Sequence, residues 1–210
     1  MEKKSIEIYK KLDEAYPKEI EFIKRGDPFR FLCTVILSAS STDREAMRAE
    51  ERLHSALPSA EAIADAQSSQ VEELIKSAGL YKNKARSIKA LAEVTLREGR
   101  IPETVEELTK IPGIGVKTAN CYLVDILDKP GVIVDTHFAR VVHRLGLTST
   151  DDRDKVYREI RKEFDPSMWS RLSMTANLHG RKYCKARSPL CSTCFLSSIC
   201  PSKASFCKGV

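Results

Sequence analysis

Residues 110–120 read KIPGIGVKTAN: a proline, two glycines around one isoleucine, then Lys117 at the mouth of a helical pattern. Two phosphate-cradling motifs look like this, and neither fits. A dinucleotide fingerprint needs a preceding strand and a third small residue, but Thr118 holds that position and the preceding segment is helical. A P-loop needs glycine directly before Lys-Thr, where this chain has Val116. What remains is a helical hairpin, residues 105–110 and 116–127 joined by a glycine turn. Two glycines permit positive φ and leave backbone N–H groups uncovered at a helix N-terminus. Gly113 and Gly115 therefore offer a seat for one backbone phosphate, blind to base sequence. Ile111 and Ile114 are expected to pin the turn to the core.

Either side of the hairpin the pattern stays helical. Ile6, Tyr9, Leu12 and Tyr16 recur at helical spacing, and Pro28 opens the apolar run Phe29–Leu37. Asp43 is expected to cap the next helix, and Ser69 with Glu72 to form a capping box. A helix from about Asn83 stops at Gly99, and Thr104 with Glu107 forms a second box. Gly146 ends the segment after Asp135, and helices follow over 156–164 and 169–183. The one strand-like piece, Val132-Ile-Val134, is too short to found a sheet. The fold class is all-α, built from roughly nine or ten short helices.

The chain has 210 residues, 42% hydrophobic and 30% charged, which suits a globular protein of one or two compact domains. No apolar run is long enough to span a membrane, and the N-terminus lacks a signal-peptide core, so a cytoplasmic setting is expected. The net charge is +6. From Gly180 to Val210 there are six Lys/Arg and no Asp/Glu, so this end holds the whole excess, the rest balancing 29 against 29. A basic end on a neutral body points to a polyanionic partner, nucleic acid first, although a merely solvated basic tail has the same composition.

Lys117 falls in the first turn of its helix, where the positive end of the dipole disfavours an ammonium. A neutral amine there is a nucleophile able to form a Schiff base with a sugar aldehyde carbon; a charged one simply holds a phosphate. Eighteen residues on comes VDTHFARVVHRLGL, with Asp135 at a helix start. Its carboxylate could accept a proton or stabilise positive charge on a sugar ring, or serve as an ordinary N-cap. It could do both.

Seven cysteines are unevenly spread. Cys33 and Cys121 sit in apolar helical contexts and read as small core residues. Cys184-x6-Cys191-x2-Cys194-x5-Cys200 supplies four thiolates, enough for a 4Fe–4S cluster. Structural zinc usually takes two close Cys pairs, and only one is present. Cys207 lies outside the pattern.

IPGIGVKTAN, VDTH, LHGRKYC and the terminal cysteines together resemble the endonuclease III family of helix-hairpin-helix DNA glycosylases, as do DPFRFLCTVILSASSTD and GLYKNKA at matching intervals. The resemblance covers almost the whole chain. It implies a six-helix barrel domain over 22–129 and a second helical domain over 1–21 and 130–210, with DNA bound at the cleft between them. It implies that Lys117 is a lyase nucleophile, Asp135 its partner carboxylate, and Cys184, Cys191, Cys194 and Cys200 the ligands of a 4Fe–4S cluster. The cluster would fix the loop 185–190, whose Lys185 and Arg187 reach phosphate.

A glycosylase must turn its target nucleotide out of the duplex and fill the hole. The resemblance places that task in the loops SASSTD and GLYKNK, where Leu80 is a fitting wedge. Many relatives have glutamine where this chain has Ser40, which is too short to fill a base-sized gap. The expectation is a bifunctional glycosylase and abasic-site lyase acting, as a monomer, on damaged pyrimidines in double-stranded DNA. A mismatch enzyme removing uracil or thymine opposite guanine is the alternative within the class. A non-catalytic iron–sulfur DNA-binding module is the alternative outside it.

Overall fold

A computed structural model describes residues 3–20, 23 and 25–206; Cys207 lies outside them. The chain forms two compact units, one of Glu21–Lys129 and one of Met1–Ile20 with Pro130–Val210. Among the described residues every regular element is helical, Val132–Val134 included in no strand. No helix among them is long and apolar enough to cross a membrane.

Helix α1 (Lys3–Ala15) belongs to the unit made from both ends of the chain. The inserted unit starts with α2 (Pro28–Ser38), which opens with a proline and an Asp27 cap accepting from the Arg30 N–H at 2.8 Å. Apart from Arg30, Thr34 and Ser38 its sequence is apolar, and Phe29 and everything from Phe31 to Leu37 is buried. Around it stand α3 (Asp43–Ala56), α4 (Ala60–Asp65), α5 (Ser68–Leu74) and the long α6 (Tyr81–Glu98). The hairpin helices α7 (Val105–Leu108) and α8 (Val116–Asp125) complete the unit. α2 packs directly on α3, α6 and α8.

The other unit continues with α9 (Thr136–Arg144), α10 (Arg153–Glu163), α11 (Pro166–Lys182) and α12 (Lys203–Phe206). Its core gathers Phe138, Val141 and Val142 of α9 with Ile8 and Leu12 of α1, Ile160 and Leu172. Arg171 of α11 fastens the end of α1: its guanidinium donates to Asp13 Oδ1 at 2.6 Å and to the carbonyls of Asp13 and Tyr16 at 2.8 and 2.9 Å.

Two caps differ from expectation. Thr42, not Asp43, caps α3, accepting from the Glu45 N–H at 3.3 Å. Ser69 lies inside α5, whose N-cap Gln67 offers no side-chain bond. Thr104 and Glu107 pair as expected but with one bond shifted: Thr104 Oγ1 accepts from the Glu107 N–H at 3.2 Å, while Glu107 Oε2 accepts from the Thr104 hydroxyl at 3.0 Å and from the Glu103 N–H at 3.3 Å. α6 ends at Gly99 in the left-handed region, the geometry that favours glycine there.

Candidate active site

The hairpin turn between α7 and α8 is held from within by the Ile114 N–H donating to the Ile111 carbonyl at 3.0 Å, and from beneath by both isoleucines, which are buried. Gly113 has φ +82°, and a Cβ there would lie 1.8 Å from Ser87 Oγ of α6. Conformation and contact both demand glycine. Gly115 departs from the sequence expectation: its φ is −90°, and a Cβ would meet nothing within 4 Å. Only the first glycine is required by the chain's own folding. The second leaves bare the entry to α8, a helix with no side-chain cap, so its first-turn amides are open to an anion. Lys117 is the second residue of α8 and is exposed.

Asp135 is the N-cap of α9, its Oδ1 accepting from the Phe138 N–H at 2.7 Å. Its Oδ2 accepts from the side-chain amide of Asn177 on α11. Asn177 Oδ1 in turn accepts from Arg181 Nε at 2.8 Å. This chain of contacts depends on Gly180, where a Cβ would come within 3.0 Å of His137 Cβ and 3.1 Å of the His137 carbonyl. With glycine there, α11 lies against the first turn of α9. Asn177 was not anticipated; its signal is the i, i+4 spacing to Arg181 within the stretch NLHGR. Lys117 belongs to the inserted unit and Asp135 to the other.

The two proposed wedge loops touch. A Cβ on Gly79 would stand 3.1 Å from the Ser40 carbonyl. Leu80 is 63% exposed, which excludes a core role, and it and Ser40 both adopt positive φ, 61° and 54°. Non-glycine residues there carry strain of about 1 kcal/mol each. Lys84, buried one turn into α6, donates from Nζ to the Leu37 carbonyl at 2.8 Å, and burial lowers its pKa. It thereby ties the start of α6 to the end of α2, directly before Ser40.

Cys184, Cys191, Cys194 and Cys200 line one cavity. Cys33 is buried and Cys121 half-buried, both against the inserted unit's core. Four thiols around one cavity are the number of protein ligands a 4Fe–4S cluster takes. Burial raises the Cys194 and Cys200 thiols, while backbone N–H groups of Leu196, Ser197, Ser202 and Lys203 point at these sulfurs and favour thiolate. Arg144 donates to Cys184 Sγ at 3.5 Å and to the carbonyls of Lys185 and Ala186 at 2.7 and 3.1 Å. Lys185 and Arg187 are exposed on that loop. Burial pushes His179 down to about 4, so the ring is neutral; its Nδ1 lies 3.1 Å from the Tyr16 hydroxyl and its Nε2 3.5 Å from Cys194 Sγ. The donor set and its surroundings fit an iron–sulfur cluster.

Residues 33–166 match the HhH-GPD superfamily base excision DNA repair protein family, and residues 184–200 the iron–sulfur binding domain of endonuclease III. The endonuclease III of Synechocystis is 36% identical over 202 residues, covering 95% of this chain and 92% of the relative. That of Escherichia coli is 31% identical, covering 95% and 96%. A solved endonuclease III–DNA covalent intermediate superposes with a TM-score of 0.88 at 30% identity, covering 98% of this chain and 99% of its own. A thermostable thymine-DNA glycosylase shares the fold, TM-score 0.82 at 21% identity.

Proposed function

The chain belongs to the endonuclease III family of base excision repair DNA glycosylases, and on that premise we propose that it is bifunctional, joining base release to abasic-site lyase chemistry. Its substrate is a damaged pyrimidine in double-stranded DNA, which it processes as a monomer in the cytoplasm. The observation that carries this reading is a lysine, exposed and two residues past an uncapped glycine turn, in a chain whose relatives include a trapped covalent DNA complex.

The chemistry runs through this chain's own residues. The hairpin amides hold a backbone phosphate, and the Leu80 and Ser40 loops occupy the space the target base leaves. Lys117 attacks the sugar C1′ through its unprotonated amine; the new C–N bond forms as the bond to the base breaks, and the base leaves as an anion that takes its proton from water. Asp135, as a carboxylate, accepts the proton shed by the amine and stabilises the positive charge on the sugar ring. Asp135 returns that proton to the ring oxygen as the C1′–O bond breaks, and the ring opens to a protonated Schiff base, which acidifies C2′. Loss of that proton expels the 3′ phosphate, cutting the strand by β-elimination. Cys184, Cys191, Cys194 and Cys200 would hold the 4Fe–4S cluster and so tie down the loop carrying Lys185 and Arg187.

Borohydride treatment during reaction with a thymine-glycol duplex should trap a covalent protein–DNA adduct. Lys117→Gln should abolish the adduct while keeping the cluster's visible absorption. An adduct of equal yield with Lys117→Gln places the nucleophile elsewhere. Because Ser40 replaces a longer filler, a parallel panel with G·U and G·T duplexes tests the mismatch reading directly.

A further inference from the structure

Asp135 makes one hydrogen bond more than a cap needs. An N-cap carboxylate satisfies its helix with one oxygen on a first-turn N–H, here Oδ1 on Phe138 at 2.7 Å. The other oxygen is ordinarily left to water. In this chain it is met by a side chain from a different helix, the Asn177 amide of α11. Asn177 is buried, and burying an amide costs stability unless both its ends are bonded. Both are. The Arg181 guanidinium donates to Oδ1 at 2.8 Å, which leaves Nδ2 as the end that faces Asp135. The opposite flip would set oxygen against carboxylate and NH2 against guanidinium, so the two partners dictate the amide's orientation.

We propose that Asn177 is a positioning residue for Asp135, with Arg181 selecting which end of the amide does the positioning. The inference rests on the reading of Asp135 as the reacting carboxylate. Two donors on two different oxygens fix the carboxylate plane as well as its place, and each oxygen keeps a lone pair for the sugar and the lysine amine. Without Nδ2 the group can rotate about its last bond, and the reacting geometry is reached in a smaller fraction of encounters.

The test uses the full-length, cluster-loaded protein in excess over a thymine-glycol duplex, with base release read after alkaline cleavage. Asn177→Leu should slow single-turnover release about tenfold, a typical consequence of removing a supporting hydrogen bond, with affinity for a duplex carrying a tetrahydrofuran abasic analogue unchanged. Asn177→Asp, nearly the same size, separates donation from packing. At neutral pH it sets a second carboxylate against Asp135 and should be slower still. It should recover as pH falls and the introduced carboxyl gains a proton to donate, despite the neighbouring Arg181 of α11 and His137 and Arg140 of α9. A packing role predicts instead that Asn177→Asp keeps the native rate and a pH profile parallel to the native one, and that result overturns the proposal. Asp135→Asn runs alongside. If it releases base at the native rate, the reading of Asp135 itself falls. If it is inactive while both Asn177 variants run at full rate, only the positioning falls. Should Asn177→Leu lose its cluster absorption, the near-isosteric Asn177→Asp decides alone.

Discussion

Gly113 and Gly115 look interchangeable in sequence, yet opposite consequences follow from changing them. Alanine at 113 must hold φ near +82° and force Ser87 aside, so Gly113→Ala should destabilise the protein by about 2–4 kcal/mol in denaturant unfolding. Gly115→Ala has free space and ordinary backbone angles, so stability should stay within about 0.5 kcal/mol while affinity for undamaged duplex drops. Comparable unfolding losses for both would remove the distinction. Leu80 gives the converse case, a residue kept where glycine would be easier. Leu80→Gly should relieve the left-handed strain and raise stability by as much as about 1 kcal/mol, read as a higher melting temperature. The same change should impair release of a base-paired lesion far more than cleavage at a pre-formed abasic site. Equal losses on both substrates would identify Leu80 as a packing residue. The sequence marks all three positions as special but not in which way, because φ and the distance to Ser87 are set by the packing of distant segments.

At the level of helices, α2 and α3 are joined by an ionic cluster that periodicity does not reveal. Glu50 is buried, which by itself raises its pKa, but hydrogen bonds from His54 and Arg30 outweigh that and bring it down to about 2. The contacts are 2.9 Å from His54 Nδ1 and 2.6 Å from Arg30 Nε. The folded pKa is depressed, so the stabilisation is complete above the unfolded value, near 4.5, and is lost as pH falls toward 2. It amounts to as much as about 3 kcal/mol. Glu50→Gln should therefore lower stability at neutral pH and flatten the stability–pH curve between about 5 and 2. A variant whose acid dependence matches the native protein's would assign that dependence to other carboxylates. Most helices were legible, as were Gly99 and the Thr104–Glu107 pair, because these signals lie within a few residues of one another; the short α4 and α12 were not, a turn or so of helix being too brief to show a periodicity. The Thr42 cap was misassigned by one position since Thr and Asp are both good caps. Arg30–Glu50 and Asp135–Asn177 were not legible: each joins residues on different helices, a pairing set by interhelical packing.

For the molecule as a whole, the family could be read because hairpin, VDTH and cysteine signatures recur in order along nearly the whole chain, and the matched relatives bear that reading out. The chemistry proposed for Lys117 and Asp135 carries no such redundancy, since each residue is a single position with an ordinary structural use. The arrangement of the units has a further consequence, for biosynthesis. Residues 21–129 are delivered by the ribosome as an unbroken set, whereas α1 emerges ahead of them with Ile8 and Leu12 uncovered. Its docking partners, Arg171 and the body of α11, are translated more than 150 residues later. At ordinary elongation rates that is a wait of about 10–30 seconds, during which α1 is an amphipathic segment open to chaperones and proteases. The four cysteines arrive later again, so the metal centre can be assembled only after α11 has been made. A helix made before residues 21–129 thus finds its place only after them.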